Sequence, residues 1–327
     1  MRNISRRNFI RTAACAAAAA AAPCEAGAKP EKREFDWAFS QDANKISLSL
    51  STLDKPAKVM FIGDAHFSSD KGLDGVYKDY AARMHKHGKH SPDDLKKAIE
   101  RAGKENFSAV ILGGDIINYP SEYNVGVVDG LIRNAPVPVL YTSGNHDWHF
   151  EGDSGTDLEQ RERWVQKRLL PLYADKNWKL YSRNIGGVKF VILDNSTYEI
   201  LPEQLDALGR ELSDNLPTVI CAHIPFYIPN TNRFFGCGHP NWNGANDPYW
   251  EIERRKKWPE AGHTKTTFDF WRQVFSSPAV VGILAGHTHK LTTHFYRGKF
   301  QAVSPCFRQK AEPLELSMLP FKAASAP

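Results

Sequence analysis

The sequence contains little net charge and no long run of strongly hydrophobic residues, and each shortage argues against a kind of protein. Lysine and arginine total 42 against 37 aspartate and glutamate residues, a balance that does not point to a surface that binds nucleic acid. The alanine-rich residues 13–22 are fewer than the ~20 apolar residues that cross a bilayer. No internal repeat is visible. We therefore expect neither a nucleic-acid partner nor a stable membrane anchor.

The first 28 residues look like an export signal that does not belong to the fold. Residues 5–11 read Ser-Arg-Arg-Asn-Phe-Ile-Arg, which resembles a twin-arginine signal, and an alanine-rich stretch with a candidate cleavage site after Ala28 follows. A general secretory signal is one alternative, although its core is normally richer in leucine. A lipid-modified N-terminus at Cys24 is another, although Pro23 before it fits badly. We predict export by the twin-arginine machinery to the periplasm or the exterior.

Removal of the predicted signal leaves a nearly neutral chain with three cysteines. The chain retains 38 basic and 36 acidic residues. Cys221, Cys237 and Cys306 also remain. An odd number of cysteines in an oxidising compartment allows one disulfide and leaves a free thiol, and the sequence alone does not pair them.

Five short apolar runs are each followed by polar residues that are potential metal ligands. The runs cover residues 59–62, 109–112, 137–141, 219–222 and 280–284. Their length, their valine and isoleucine content and the glycine or asparagine that often ends them indicate buried strands. The polar residues that follow are Asp64, His66, Asp115, Asn145, His146, Asp147, His223, His287 and His289. The sequence therefore predicts a site assembled from the ends of five strands.

The chemistry of these side chains favours divalent metal ions. Carboxylate oxygens, imidazole nitrogens and an amide oxygen suit Mn, Fe or Zn, and the lack of thiolates among them argues against a structural zinc site. Any one of the histidines alone would more often be a core or surface residue, and an aspartate after a strand is often a helix N-cap. All the fragments occurring together favour a metal site.

The order of the fragments resembles the calcineurin-like metallophosphoesterase family. Its pattern is Asp-x-His, Gly-Asp, Gly-Asn-His-Asp or Glu, a lone His and Gly-His-x-His, and this chain carries each of these between Asp64 and His289. The resemblance implies an α/β fold, a four-layer α/β/β/α sandwich with two mixed β-sheets. Because the motifs span most of the chain, we expect one domain over residues 29–310, with insertions near 68–92 and 226–265. Helices are predicted over residues 93–103 and 158–170, and residues 311–327 are predicted to be a loosely held tail.

The resemblance also implies roles for individual residues. The first metal ion would be held by Asp64, His66, Asp115 and His289. The second would be held by Asp115, Asn145, His223 and His287. Asp115 would bridge the two ions, and a hydroxide between them would attack the phosphorus of a small phosphomonoester or phosphodiester. His146 matches the family histidine that contacts the phosphoryl group and protonates the departing oxygen.

Asn118 departs from the family pattern. Many relatives have aspartate at this position, paired with the histidine that matches His146, and purple acid phosphatases have a tyrosine ligand there. Asparagine would leave His146 less easily protonated, because a carboxylate partner favours the imidazolium form. We keep Asn118 with His146 and Asp115 among the catalytic candidates.

The segment between His223 and His287 is the candidate for substrate binding. Its first forty residues are rich in aromatic and basic side chains, and a long non-periodic insertion beside a catalytic centre is commonly a lid or a binding loop. The candidate substrate-binding residues are Arg233, His239, Trp242 and Arg254, of which the tryptophan would stack on a base or sugar. A surface subdomain with its own apolar cluster is the alternative.

Other functions fit the sequence less well. A metallo-β-lactamase-like hydrolase would need a His-x-His-x-Asp-His motif, which does not occur. A non-catalytic metal- or phosphate-binding scaffold on the same fold remains the alternative. Retention of every ligand and of His146 argues against it.

Overall fold

The computed structural model describes residues 35–71, 73, 78–85, 91–149, 153–231, 236–240, 262–307 and 311–321. The predicted export signal lies outside these residues, so export stays a prediction. The strands are β1 (Trp37–Asp42), β2 (Lys45–Leu50), β3 (Ala57–Ile62), β4 (Ala109–Gly113), β5 (Val139–Thr142), β6 (Leu180–Ile185), β7 (Val188–Leu193), β8 (Thr218–Ala222), β9 (Val280–Ala285), β10 (Thr292–Tyr296), β11 (Lys299–Val303) and β12 (Leu314–Pro320). All five predicted strands are present.

The strands form two mixed sheets of six strands each. The first has the order β1-β2-β12-β3-β4-β5, and the second has the order β10-β11-β9-β8-β7-β6. In the first sheet β3, β4 and β5 are parallel. In the second, β7, β8, β9 and β11 are parallel, and the edge strands β6 and β10 are antiparallel to their neighbours. Continuous apolar strands such as β9, buried at every residue, are typical of parallel strands covered on both faces.

Helices flank the sheets. They are α1 (Lys78–His85), α2 (Asp93–Lys104), α3 (Glu122–Arg133), α4 (Asn145–Trp148), α5 (Asp157–Trp164), α6 (Pro202–Glu211) and α7 (Lys265–Ser276). Both predicted helices are confirmed, and the second continues beyond α5 through a π turn at Val165–Leu169. Thr156 and Glu159 form a capping box at the start of α5, which satisfies backbone N–H groups that a helix start leaves unpaired. Two mixed sheets with flanking helices confirm the predicted sandwich architecture.

The two sheets pack face to face and share an apolar core. Phe39 of β1 contacts Phe295 of β10 and Phe300 of β11, with ring centroids 5.0 and 4.9 Å apart. At the opposite edges, the Tyr181 hydroxyl of β6 is 3.0 Å from both the N and the O of Tyr141 in β5. Burial of each large apolar side chain stabilises the fold by ~1.5–3 kcal/mol. These contacts hold the sheets in one alignment, with the carboxyl ends of their parallel strands at a common edge.

The predicted loose tail is wrong for the residues that form β12. This strand lies inside the first sheet, parallel to β2 and antiparallel to β3. Leu314, Leu316 and Met318 are buried and alternate with less buried residues, which is the period-two pattern of a half-buried strand. Glu315 also accepts a hydrogen bond from Arg101 of α2 at 2.8 Å. The domain therefore extends through Pro320.

Two further expectations can be compared with the described part of the chain. Cys221, Cys237 and Cys306 are buried free thiols, so the disulfide that the sequence allowed is not formed among them. None of the helices in the described residues is long and apolar enough to cross a membrane.

Candidate metal centre

The predicted metal ligands lie just after the carboxyl ends of β3, β4, β5, β8 and β9. Loops at this edge of parallel strands are the usual place for ligand sites in α/β sheets. Asp64, His66, Asp115, Asn145 and His223 are at most 2 % exposed. Burial of so many charged and polar groups is costly unless they are paired or bind ions.

Strained backbone is concentrated at this edge. Five predicted ligands have a positive φ: Asp64 (59°), His66 (47°), Asp115 (54°), His287 (71°) and His289 (59°). This left-handed region is rare for residues other than glycine and costs on the order of 1–3 kcal/mol each. Clustering of such residues is typical of a functional constraint.

Two glycines let the ligand loops approach closely. A Cβ added to Gly114 would lie 2.6 Å from the backbone N of Gly144 and 2.7 Å from Nδ1 of His223. A Cβ added to Gly144 would lie 2.2 Å from Oδ1 of Asp115. The same carboxylate oxygen accepts a hydrogen bond from the backbone N of His146 at 2.7 Å. The glycines of the Gly-Asp and Gly-Asn-His motifs are therefore required by space.

The residues predicted for the first ion converge. Nε2 of His289 lies 3.3 Å from Oδ1 of Asp64 and 3.1 Å from Nε2 of His66. Nε2 of His66 is 3.9 Å from both Oδ1 of Asp64 and Oδ2 of Asp115. Cys306, which the sequence analysis did not assign to the metal site, also lies here, with its Sγ within 4.8 Å of donor nitrogens of His66 and His289.

The residues predicted for the second ion share Asp115 with the first group. Nε2 of His223 lies 3.1 Å from Oδ2 of Asp115, and donor atoms of Asp115, His223 and His287 all lie within 4.8 Å of one another. Asn145 is buried at the start of α4, adjacent in sequence to the His146 N–H that binds Asp115. Asp115 thus lies between the two groups.

Hydrogen bonds determine which ring nitrogen each histidine offers to a metal. Nδ1 of His66 lies 2.9 Å from Oδ1 of Asn118, and Nδ1 of His223 lies 3.0 Å from the carbonyl oxygen of Gly113. Both partners accept, so Nδ1 donates and Nε2 is the nitrogen whose lone pair would bind a cation. His287 differs, because its Nε2 is 2.6 Å from the Tyr198 hydroxyl.

Asn118, which the sequence analysis grouped with His146 and Asp115 as a catalytic candidate, contacts His66. Its amide oxygen lies 2.9 Å from Nδ1 of His66, so it orients a predicted metal ligand, and its catalytic role stays a prediction. Nδ1 of His146 is buried with no hydrogen-bond partner in the described part of the chain.

Asp147 connects the loops after β4 and β5 through hydrogen bonds. Its carboxylate accepts hydrogen bonds from the backbone N–H groups of Asp115 (2.9 Å), Ile117 (2.9 Å) and Gly144 (2.7 Å). Burial and the charge of Asp115 raise the pKa of Asp147 to about 7, while the N–H donors favour the charged form. This residue supports the site without being a predicted ligand.

The electrostatics of the cluster favour cations. The pKa values of Asp64 and Asp115 stay below the usual value, because nearby histidines outweigh burial. Burial lowers the pKa of His66 to about 3. Burial also lowers the pKa of His223 and His289, but Asp115 and Asp64 raise the pKa of His223 to about 9, and Asp64 and Cys306 raise the pKa of His289 to about 10. Ionised carboxylates with imidazoles that a cation would deprotonate fit divalent Mn, Fe or Zn.

The candidate substrate-binding residues are mostly outside the described part of the chain. This holds for Arg233, Trp242 and Arg254. His239 is described, and its ring centroid lies 4.4 Å from that of Tyr227. Substrate roles for all four stay predictions.

The loop after β7 carries functional contacts that the sequence analysis missed. Tyr198 contacts His287, and Asn195 forms two hydrogen bonds with Ile224, the neighbour of His223. The signal was present, because the apolar run of β7 is followed by Asp-Asn-Ser-Thr just as other runs are followed by polar residues. These residues match no motif of the resemblance.

A comparison with models of known protein families agrees with the fold. A model of the family described as calcineurin-like phosphoesterase matches residues 57–291. Comparison with curated proteins found no match. Similar solved structures include a dimetal phosphatase from Danio rerio, with 13% identity, 76% of this chain and 87% of that chain covered and a TM-score of 0.45. Another is the phosphopantetheinyl hydrolase of Mycobacterium tuberculosis, with 15% identity, 85% and 100% covered and a TM-score of 0.40.

Proposed function

The chain belongs to the calcineurin-like phosphoesterase family, and we propose that it hydrolyses a small phosphomonoester or phosphodiester at a site for two divalent metal ions. The observation that carries the proposal is the position of Asp115. Its Oδ2 lies 3.1 Å from Nε2 of His223 and 3.9 Å from Nε2 of His66, so one carboxylate faces both predicted ligand groups.

The protein would hold the first ion with Asp64, His66, Asp115 and His289, and the second with Asp115, Asn145, His223 and His287. Bound divalent ions in such sites stabilise charge on the phosphoryl oxygens and lower the pKa of the attacking water. The chain's own contribution is to hold the ligands rigidly. The strained turns and the Asp147 hydrogen bonds support that role.

His146 is the proposed general acid. Its backbone N–H fixes Asp115, whereas its partly exposed ring lies 4.9 Å from the His66 ring, centroid to centroid. A ring at the rim of the ligand cluster is in reach of a substrate oxygen. We assign to it a contact with the phosphoryl group and proton transfer to the departing oxygen.

The test combines metal content with turnover. Purified protein should contain two Mn, Fe or Zn ions per chain and should hydrolyse some members of a panel of phosphomonoesters, phosphodiesters, nucleotides and phospholipid head groups. Two bound ions without turnover of any substrate would favour the non-catalytic scaffold. One ion or none would reject the dinuclear site.

We also propose export by the twin-arginine route, supported by residues 5–11. This route exports folded proteins, so metal would be loaded in the cytoplasm. Changing both Arg6 and Arg7 to lysine should leave folded, metal-loaded precursor in the cytoplasm, as measured by fractionation. Unchanged export would favour the general secretory route.

A further inference from the structure

The loop after β7, residues 194–199, contains no predicted metal ligand but contacts three ligand-bearing segments. Asn195 donates from Nδ2 to the carbonyl oxygen of Ile224 at 2.7 Å and accepts from its N–H at 2.9 Å. Ile224 follows His223. Ser196 accepts a hydrogen bond from Nε1 of Trp148 at 2.8 Å, and Trp148 ends α4, the helix that Asn145 begins. This loop therefore supports two ligands of the second ion through their neighbours.

Tyr198 reaches the third ligand directly. Its hydroxyl is 2.6 Å from Nε2 of His287, and its side chain is buried at 1 % exposure. Asn145, His223 and His287 are the three residues that the proposed function assigns to the second ion alone. All three are thus supported from one loop.

The loop is itself rigidly anchored. The Asp194 carboxylate contacts the buried Arg161 guanidinium at 3.4 Å and accepts hydrogen bonds from Ser196. Glu199 binds Nδ1 of His263 at 2.7 Å and the hydroxyl of Thr267 at 2.5 Å. Tyr198 has a positive φ of 64° between these anchors. A side chain held in a strained conformation between two fixed points is well suited to orient another group.

The hydrogen bond to Tyr198 has a chemical consequence for His287. A neutral imidazole has one N–H and one lone pair. When Nε2–H donates to the tyrosine oxygen, the lone pair is on Nδ1, and Nδ1 is then the atom able to bind a metal. His66 and His223 are in the opposite arrangement, with Nδ1 bound by the protein.

We propose that Tyr198 is a positioning residue for the second metal ion. Its hydroxyl makes Nδ1 the metal-binding atom of His287, and the loop of residues 194–199 thereby sets the affinity for the second ion separately from the first. The inference rests on the proposed two-ion function.

The experiment uses Tyr198→Phe, which removes only the hydroxyl. Metal-free protein is titrated with Zn²⁺ by calorimetry, and bound zinc is counted after dialysis. The first ion should bind as in wild type, and the second should bind ~10–100-fold more weakly, the usual effect of losing a partner of a metal-binding histidine. Tyr181→Phe is the matched control, because Tyr181 is also buried but its hydroxyl binds the backbone of Tyr141. The control should bind both ions normally.

A second measurement does not depend on the variant folding. Nitrogen NMR of histidine-labelled, zinc-loaded wild type should show His287 bound to zinc through Nδ1, with its Nε2 protonated. Coordination through Nε2 would overturn the inference, as would normal affinity for both ions in a folded Tyr198→Phe protein. Equal weakening of both ions would also overturn it, by making Tyr198 a general structural residue. Wild-type protein that binds fewer than two zinc ions would instead reject the two-ion site itself.

Discussion

The loop that carries Asp64 and His66 is held by main-chain hydrogen bonds, whereas side chains of the loop of residues 194–199 contact all three residues assigned only to the second ion or their neighbours. On the first side, the N–H of Asp64 donates to the Gly114 carbonyl at 3.0 Å and that of His66 donates to the Asp115 carbonyl at 2.8 Å. On the second side, Asn195, Ser196 and Tyr198 provide the support. Main-chain support belongs to the ligand motifs, whereas side-chain support can lie anywhere in the chain.

Asp115 is the ligand predicted for both metal ions, so its substitution should have the largest effect. Asp115→Asn removes a charge shared by both ions, and a hydrogen-bonded or paired charge contributes on the order of 1.5–3 kcal/mol, or roughly 10–100-fold in affinity for each ion. Elemental analysis should find both ions depleted and activity lost. Asn145→Ala is the comparison, and it should deplete the second ion alone. Full occupancy by two ions in Asp115→Asn would remove its bridging role.

His146 is predicted to act in catalysis without binding either metal ion. His146→Ala should keep both ions but slow hydrolysis of an alkyl phosphoester by ~10²–10⁴, the usual contribution of general acid catalysis. The loss should be clearly smaller on a nitrophenyl ester, whose leaving group departs without a proton. Kinetics on both esters at matched metal content make the measurement. Equal losses would leave His146 with a phosphoryl contact and no acid role.

Asn118→Ala is the counterpart of Tyr198→Phe, because Asn118 supports a ligand predicted for the first ion. Asn118→Ala removes the acceptor for Nδ1 of His66, so affinity for the first ion should fall ~10–100-fold while the second binds normally. Zinc titration of the two variants side by side tests the comparison directly. If both variants weaken binding of the same ion, the two ion sites are not supported separately.

The pH dependence of metal binding should be similar for the two ion sites. His289 and His223, one on each side, have raised pKa values of about 10 and about 9 in the metal-free protein. Both are therefore protonated at pH 7 and must lose that proton to bind metal, so affinity should rise with pH up to these values. Calorimetry in buffers of different ionisation enthalpy should find about one proton released per ion at pH 7. Binding without proton release would contradict the assignment of these histidines as ligands.

The fold could be predicted from the sequence where the apolar pattern of a single segment was sufficient. The runs that became β3, β4, β5, β8 and β9 have an apolar pattern that needs no partner to be recognised. β12 has an equally clear alternation but was predicted to be a tail, because a strand inserted between β2 and β3 pairs with residues more than two hundred positions earlier. Proximity in sequence does not indicate such pairing.

The sequence by itself determined the chemistry of the candidate site: which side chains are offered, after which strands, and with glycines where loops must approach. Tertiary structure alone decided how those side chains are supported. Asn118 is near His66 across 52 positions, and Tyr198 is near His287 across 89. A histidine is the same residue whichever ring nitrogen faces a metal. That choice follows from the hydrogen-bond partner on the other nitrogen, and only the packing of distant loops brings that partner into place.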